Sequence, residues 1–176
     1  YQSGLSQKVN MDYIPNFKHV DESYRTFKED PGTDGVKLST PYQCGTTGIG
    51  VRLDKVASPV TSWGAMWDDH YAGKITMSDE NRNAFGCALW LLGYSLNSTS
   101  ESEVDDATAK LIEQKPLLLA YDTNNMKRNM IKGVPLVYAF NADCLYAMAE
   151  VGEGKLGYVL PDEGFMNWMD NCVILK

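Results

Sequence analysis

Apolar positions along this chain fall into short blocks at two periods. Ala84, Phe85, Ala88, Leu89 and Leu92 recur at helical spacing and predict a helix that Ser78-Asp79 caps and that runs to about residue 93. Ser100 and Glu103 form a capping-box pattern, and Val104, Ala107 and Leu111 continue that helix on one face to about residue 115. A third helix is expected over 125–132, capped by Asp122 or Thr123 and stopped by Gly133; a fourth starts at Asn141 with Leu145, Met148 and Ala149 inward. Between them lie short apolar runs that predict strands. Residues 36–51 read as two strand runs joined near Pro41 to Gly45, 117–121 as a short buried strand, and 134–140, 156–160 and 172–175 as further strands. Residues 62–67 read as a short helix whose Trp63 and Trp67, four apart, pack one face onto a core, and 71–77 as a turn and a strand. The first 36 residues show no core of their own. Asp21-Glu22-Ser23 opens a short helix through Phe27, and Asp30 to Gly35 is a turn-rich loop.

Composition narrows the function. The chain has 176 residues, enough for one domain with a real core and a fragment of a second. Its 16 basic and 23 acidic residues give a net charge of -7, with no basic stripe, which argues against a nucleic-acid partner and favours a cationic ligand kinetically. No run approaches the roughly 20 apolar residues that span a bilayer. The chain opens at Tyr1-Gln2-Ser3 without an initiator Met or a secretory signal, and reads as a piece of something longer. Cys44, Cys87, Cys144 and Cys172 form no C-x-x-C pair, so no zinc site is indicated, and buried free thiols are expected. His19 and His70 stand isolated, and no metal or cofactor is implied. Gly45 to Gly50 has the order G-x-x-G-x-G with no helix pattern after it, so it is not a dinucleotide loop. Gly48 and Gly50 alternate with Ile49 and Val51, as when a strand passes close to another backbone.

Three places carry candidate chemistry. Trp168 and Asp170 lie two apart near a strand start, so both side chains share one face. An indole beside a carboxylate suits an organic cation, and equally a core Trp beside a solvated Asp. Phe140 ends a strand, and Asp143 falls in the first turn of the next helix. That junction opens onto the crevice of an α/β fold, although an acid there also offsets the helix dipole. Glu80 and Asn83 hold the equivalent place after the strand that ends near Met77.

Pro161-x-Glu163-Gly164 followed by Trp168-Met169-Asp170 resembles a segment of the spermidine/putrescine-binding proteins, the extracytoplasmic receptors of polyamine ABC importers. The likeness extends to Pro41-Tyr42 with Gly45 to Val51, to Ser62-Trp63 and Trp67 with Tyr71-x-Gly73-Lys74, to Leu92-Gly93-Tyr94-Ser95, and to Phe140-x-x-Asp143. It runs from about residue 5 to 176, and a full receptor of this kind is about twice as long. The resemblance implies an α/β fold: one lobe of a type II periplasmic-binding-protein-like architecture, with a central mixed β-sheet flanked by helices. It implies that residues 1–41 end the first lobe and lead to the hinge, that 42–170 form the second lobe, and that 171–176 are the return hinge strand.

The same resemblance implies a ligand set. Asp143 and Asp170 each pair with an amine of a polyamine, Trp168 and Phe140 line its methylenes, and Glu80 adds a weaker contact. Asn83 stands where family members often carry Glu, and Phe140 where Trp is usual. The implied partners are a polyamine and a membrane ABC permease, and the implied location is extracytoplasmic. Two rivals remain: the same fold with another cationic or amino-acid-derived solute, and a carboxylate-dependent hydrolase. For the latter the sequence shows no nucleophile with an activating base.

Overall fold

Close contacts at two glycines, to backbone at Gly48 and to a side chain at Gly50, shape the longest strand. The structure, a computed structural model, describes residues 4–26, 30 and 36–176. β1, Ser39–Arg52, is one continuous strand of 14 residues rather than the two runs expected. The reason is that β4 (Leu136–Phe140) and β5 (Leu156–Val159) pair with it only from Thr47 onward. Pro41 therefore removes no hydrogen bond from those ladders. A Cβ at Gly48 would lie 2.3 Å from the Val159 carbonyl oxygen, and one at Gly50 would lie 2.4 Å from Met130 Sδ. Gly48→Ala is expected to lower the unfolding free energy by about 1–3 kcal/mol in a urea titration, because backbone must move. Gly50→Ala should cost less, since a methionine side chain can turn away.

The remaining elements are β2 (Ile75–Met77), α1 (Asn81–Leu91), α2 (Glu101–Gln114), β3 (Leu118–Tyr121), α3 (Met126–Lys132), α4 (Asn141–Val151) and β6 (Asn167–Val173). The sheet order is β3-β2-β4-β1-β5, with β6 pairing β1. β2 runs parallel to β3 and β4, whereas β1 is antiparallel to β4 and β5. This is a mixed sheet with helical crossovers, as an α/β class requires. Its core gathers Ile49, Val51, Ile75, Met77, Leu136 and Tyr138 around Trp63, all within 1% of full burial. Trp63 opens the 3₁₀ helix Trp63–Trp67. Its ring stacks on Tyr138 at 5.7 Å and on Trp90 at 6.4 Å. Trp67 is half-buried and donates its indole N–H to the Lys110 carbonyl at 2.8 Å.

Several local expectations change in the folded chain. Glu80, not Ser78 or Asp79, is the cap residue of α1; Ser78 Oγ instead accepts the Glu80 N–H at 3.2 Å. No capping box forms at α2, because the Ser100 hydroxyl engages Ser102 Oγ at 3.0 Å. Val104 is also 37% exposed, while Ala107 alone of that stripe is fully buried. β3 is an edge strand, so it is half-buried with Leu119 and Tyr121 outward rather than wholly inside. The inward face of α4 is Cys144, Ala147 and Met148, one residue earlier than the stripe through Leu145 and Ala149, and Leu145 is 62% exposed.

Cys87 and Cys144 are buried free thiols, but Cys44 and Cys172 are exposed. Burial pushes the Cys87 thiol well up and Cys144 up to about 12, with Asp143 adding to the latter. Iodoacetamide at pH 8 should therefore alkylate Cys44 and Cys172 in the folded protein and spare Cys87 and Cys144. Peptide mass spectrometry before and after denaturation checks this.

The chain divides into two units: Tyr1–Gly45 with Trp168–Lys176, and Thr46–Asn167. In the first, among the described residues, 3₁₀ turns span Met11–Tyr13, Pro15–His19 and Glu22–Tyr24. The helix expected from Asp21 is only the last of these. Its expected end at Phe27, and residues 31–35 of the turn-rich loop, lie outside the described residues. Val9 is buried and bridges Lys37, Ser6 bridges Leu175, and Asp30 accepts from the Ser39 N–H and hydroxyl.

Candidate functional site

β2, β3 and β4 point the same way, so their carboxyl ends share one sheet edge. Chain leaving that edge turns into α1, α3 and α4. Helix N–H groups left without intrahelical partners therefore open there. Within this unit the structure brings Glu80, Asn83, Phe140 and Asp143 to that edge.

At the α1 start, Ser78 is fully buried and its hydroxyl meets Thr123 Oγ1 at 2.9 Å. Asn83 is 6% exposed and donates its amide hydrogens to Ser78 Oγ at 3.1 Å and to Glu80 Oε2 at 3.0 Å. Asn83 thus holds the Glu80 carboxylate, and only its amide oxygen is left for another partner. Glu80 itself is exposed.

At the α4 start, Phe140 is half-buried and meets Tyr138 edge-on at 6.2 Å. Asp143 lies one turn on, half-buried, with no salt bridge among the described residues. Asn141 Oδ1 accepts the Thr46 N–H at 3.3 Å, and Thr46 Oγ1 meets the Tyr158 hydroxyl at 3.0 Å.

Tyr138 is a residue the sequence reading passed over. It precedes Phe140 by two on one strand, so both side chains share a face. That spacing was the available signal. Burial above all, then the neighbouring Cys87 and Glu80, drive its hydroxyl far above the usual tyrosine range. At the working pH it is neutral. Glu163, in the Pro161-x-Glu163-Gly164 run, has a structural role that the motif does not reveal. Its carboxylate accepts the Ser62 hydroxyl and, at 3.2 Å, the Trp63 N–H, and Gly164 O accepts the Trp63 indole N–H at 2.8 Å.

Trp168 and Asp170 belong to the other unit, on β6. Their spacing along a strand puts both on one face. Trp168 is half-buried, and Asp170 is exposed with Oδ2 accepting the Gln43 amide at 2.8 Å.

Asp68, Asp69 and His70 bring ligand atoms within 4.8 Å of one another, but all three are surface groups of one short turn. His70 is not isolated: its Nδ1 lies 3.1 Å from Asp68 and 3.4 Å from Asp69. No helix among the described residues is long and apolar enough to cross a membrane.

The family model for the bacterial extracellular solute-binding proteins matches residues 1–176. The spermidine/putrescine-binding periplasmic protein of Escherichia coli is 32% identical over 175 residues, 98% of this chain and 49% of that protein. A putrescine/agmatine-binding protein of Pseudomonas aeruginosa is 25% identical, covering 99% of this chain and 52% of its own length. Among solved structures, a putative spermidine/putrescine ABC transporter protein from Listeria monocytogenes superposes with a TM-score of 0.91 at 27% identity, over 99% of this chain and 53% of that one. A spermidine/putrescine substrate-binding protein from Streptococcus pneumoniae gives 0.82 at 28%, over 99% and 53%. The chain spans about half the length of the relatives it matches. With this fold and a match along its whole length, the chain belongs to the bacterial extracellular solute-binding protein family.

Proposed function

We propose that this chain is part of a receptor that captures a polyamine and delivers it to the membrane permease of an ABC importer. The observation that carries the reading is Asp143, a half-buried carboxylate without a salt bridge among the described residues, one turn behind the Phe140 ring at the carboxyl edge of the sheet. Burying an ammonium is costly unless a carboxylate pairs with it, and methylenes prefer an aromatic wall. Asp143 supplies the first and Phe140 the second. Asp170 and Trp168, within the other unit, carry the same pair of chemistries. Glu80, exposed and held by Asn83, adds a weaker contact.

Residues 42–170 are read as the receptor's second lobe, with 1–41 leading to a hinge and 171–176 returning through it. The protein works outside the cytoplasm and binds without chemistry. The sequence similarity to polyamine-binding relatives supports this reading.

A second reading keeps the receptor and changes the solute to another organic cation. Phe140 in place of the usual Trp, and an Asn83 amide already committed to Ser78 and Glu80, favour it. Calorimetric titration of putrescine, cadaverine, agmatine and spermidine into the intact receptor separates the two. Micromolar or tighter binding of putrescine or spermidine supports the first reading. Heat only from other cations supports the second, and no heat from a folded protein sinks both.

A further inference from the structure

Lys55, Lys74, His70, Asp68, Tyr71 and Pro135 line a cavity of about 630 Å³, with Ala57, Ser58 and Gly133 completing its wall. Its place in the fold separates it from the candidate site. Lys74 and Pro135 directly precede β2 and β4, and Lys55 follows the end of β1, so the cavity opens at the amino ends of the parallel strands. Phe140 ends β4 and Glu80 lies just past the end of β2, both at the opposite edge. The five residues of β4 put about 16 Å between the two edges.

Its charge is anomalous for this chain. The protein carries a net charge of -7, yet neither Lys55 nor Lys74 has a salt-bridge partner among the described residues. The one acid in the wall, Asp68, accepts from the His70 N–H at 2.9 Å and lies 3.1 Å from His70 Nδ1. The nearby Asp54 is committed to Arg52 at 2.8 Å. Lys55 is also held in place, since its Nζ donates to the Gly133 carbonyl at 2.8 Å. Two ammonium groups without a salt bridge among the described residues, Lys55 feeling Asp54 only at longer range, therefore meet hydroxyl donors of Ser58 and Tyr71 in one hollow, beside the apolar faces of Ala57 and Pro135. The volume suits a small solute, since such sites run from roughly 300 to 1,000 Å³.

We propose that this cavity is a second binding site, for a small dianion of the dicarboxylate or phosphate-monoester kind. Lys55 and Lys74 each neutralise one charge, and the Ser58 and Tyr71 hydroxyls donate to the remaining oxygens. A polyamine is repelled from the same place by both ammonium groups. The site is thus chemically opposite to the one at the other sheet edge and does not depend on the polyamine reading.

The test is calorimetric titration of succinate, inorganic phosphate and glycerol phosphate into the intact receptor at constant ionic strength. Saturable binding of at least one is expected. Lys74→Gln, which disturbs no recorded hydrogen bond, should weaken it at least tenfold, and Lys55→Gln/Lys74→Gln should abolish it. Putrescine heats should be unchanged in both variants. Absence of saturable binding by all three anions in the folded protein overturns the proposal, as does unchanged affinity in Lys74→Gln. Absence of putrescine heat from the unsubstituted receptor, with anion binding present, would count against the polyamine reading alone.

Discussion

On the proposed polyamine reading, Asp143→Asn is expected to remove most of the affinity for a polyamine while leaving folding intact. The substitution keeps shape and removes charge. In the wild type the carboxylate is half-buried in the first turn of α4 and has no salt bridge among the described residues. An ammonium bound there supplies the missing partner. Removing one member of such a desolvated pair costs about 2–5 kcal/mol, or roughly 30-fold to several thousandfold in Kd. The folded chain has no salt bridge there to lose, so the thermal midpoint should move by only about a degree or two. Glu80→Gln makes the internal control. That carboxylate is exposed and already accepts from Asn83, so its loss should cost less than about 1 kcal/mol. Calorimetry with putrescine and spermidine reads both. Wild-type affinity in Asp143→Asn would remove this residue from the site.

Trp63→Ala should be among the most damaging single changes to stability, by about 3–5 kcal/mol. The ring is fully buried and stacks between Tyr138 and Trp90, and its indole N–H is bonded to Gly164 O. Truncation leaves a cavity against two aromatic rings and an orphaned carbonyl. Trp63→Phe separates these effects, because a ring remains and chiefly the hydrogen bond and part of the volume go. A loss of about 1–2 kcal/mol is expected there. Urea midpoints at unchanged slope measure both. A drop below about 1 kcal/mol for Trp63→Ala would mean that the surrounding rings collapse freely.

The junctions at Glu80 and at Phe140 to Asp143 were legible because strand-then-helix is a local pattern. An apolar run that ends in a helix start places its junction residues at a sheet edge whatever the rest of the chain does. Which junction residue meets solvent was not legible. Asn83 reads as a ligand contact in the sequence, yet its buried amide is engaged by Ser78 and Glu80. A side chain's partners depend on the rotamers of its neighbours, and spacing does not encode those.

By itself the sequence determined the order and type of the elements, the close approach at Gly48 and Gly50, and the kinship of the chain. Each rests on residues within a few positions of one another, or on a run of identities along the whole length. Tertiary structure alone decided the one-residue phase of α4, the exposure of Cys44 and Cys172, the continuity of β1 through Pro41, and the hollow that gathers Lys55, Lys74 and His70. The residues around that hollow lie up to 80 positions apart in sequence, as Lys55 and Pro135 show. They meet because β1 and the parallel strands bring their ends to one edge of the sheet. Burial and charge compensation are properties of that meeting, and no local period carries them.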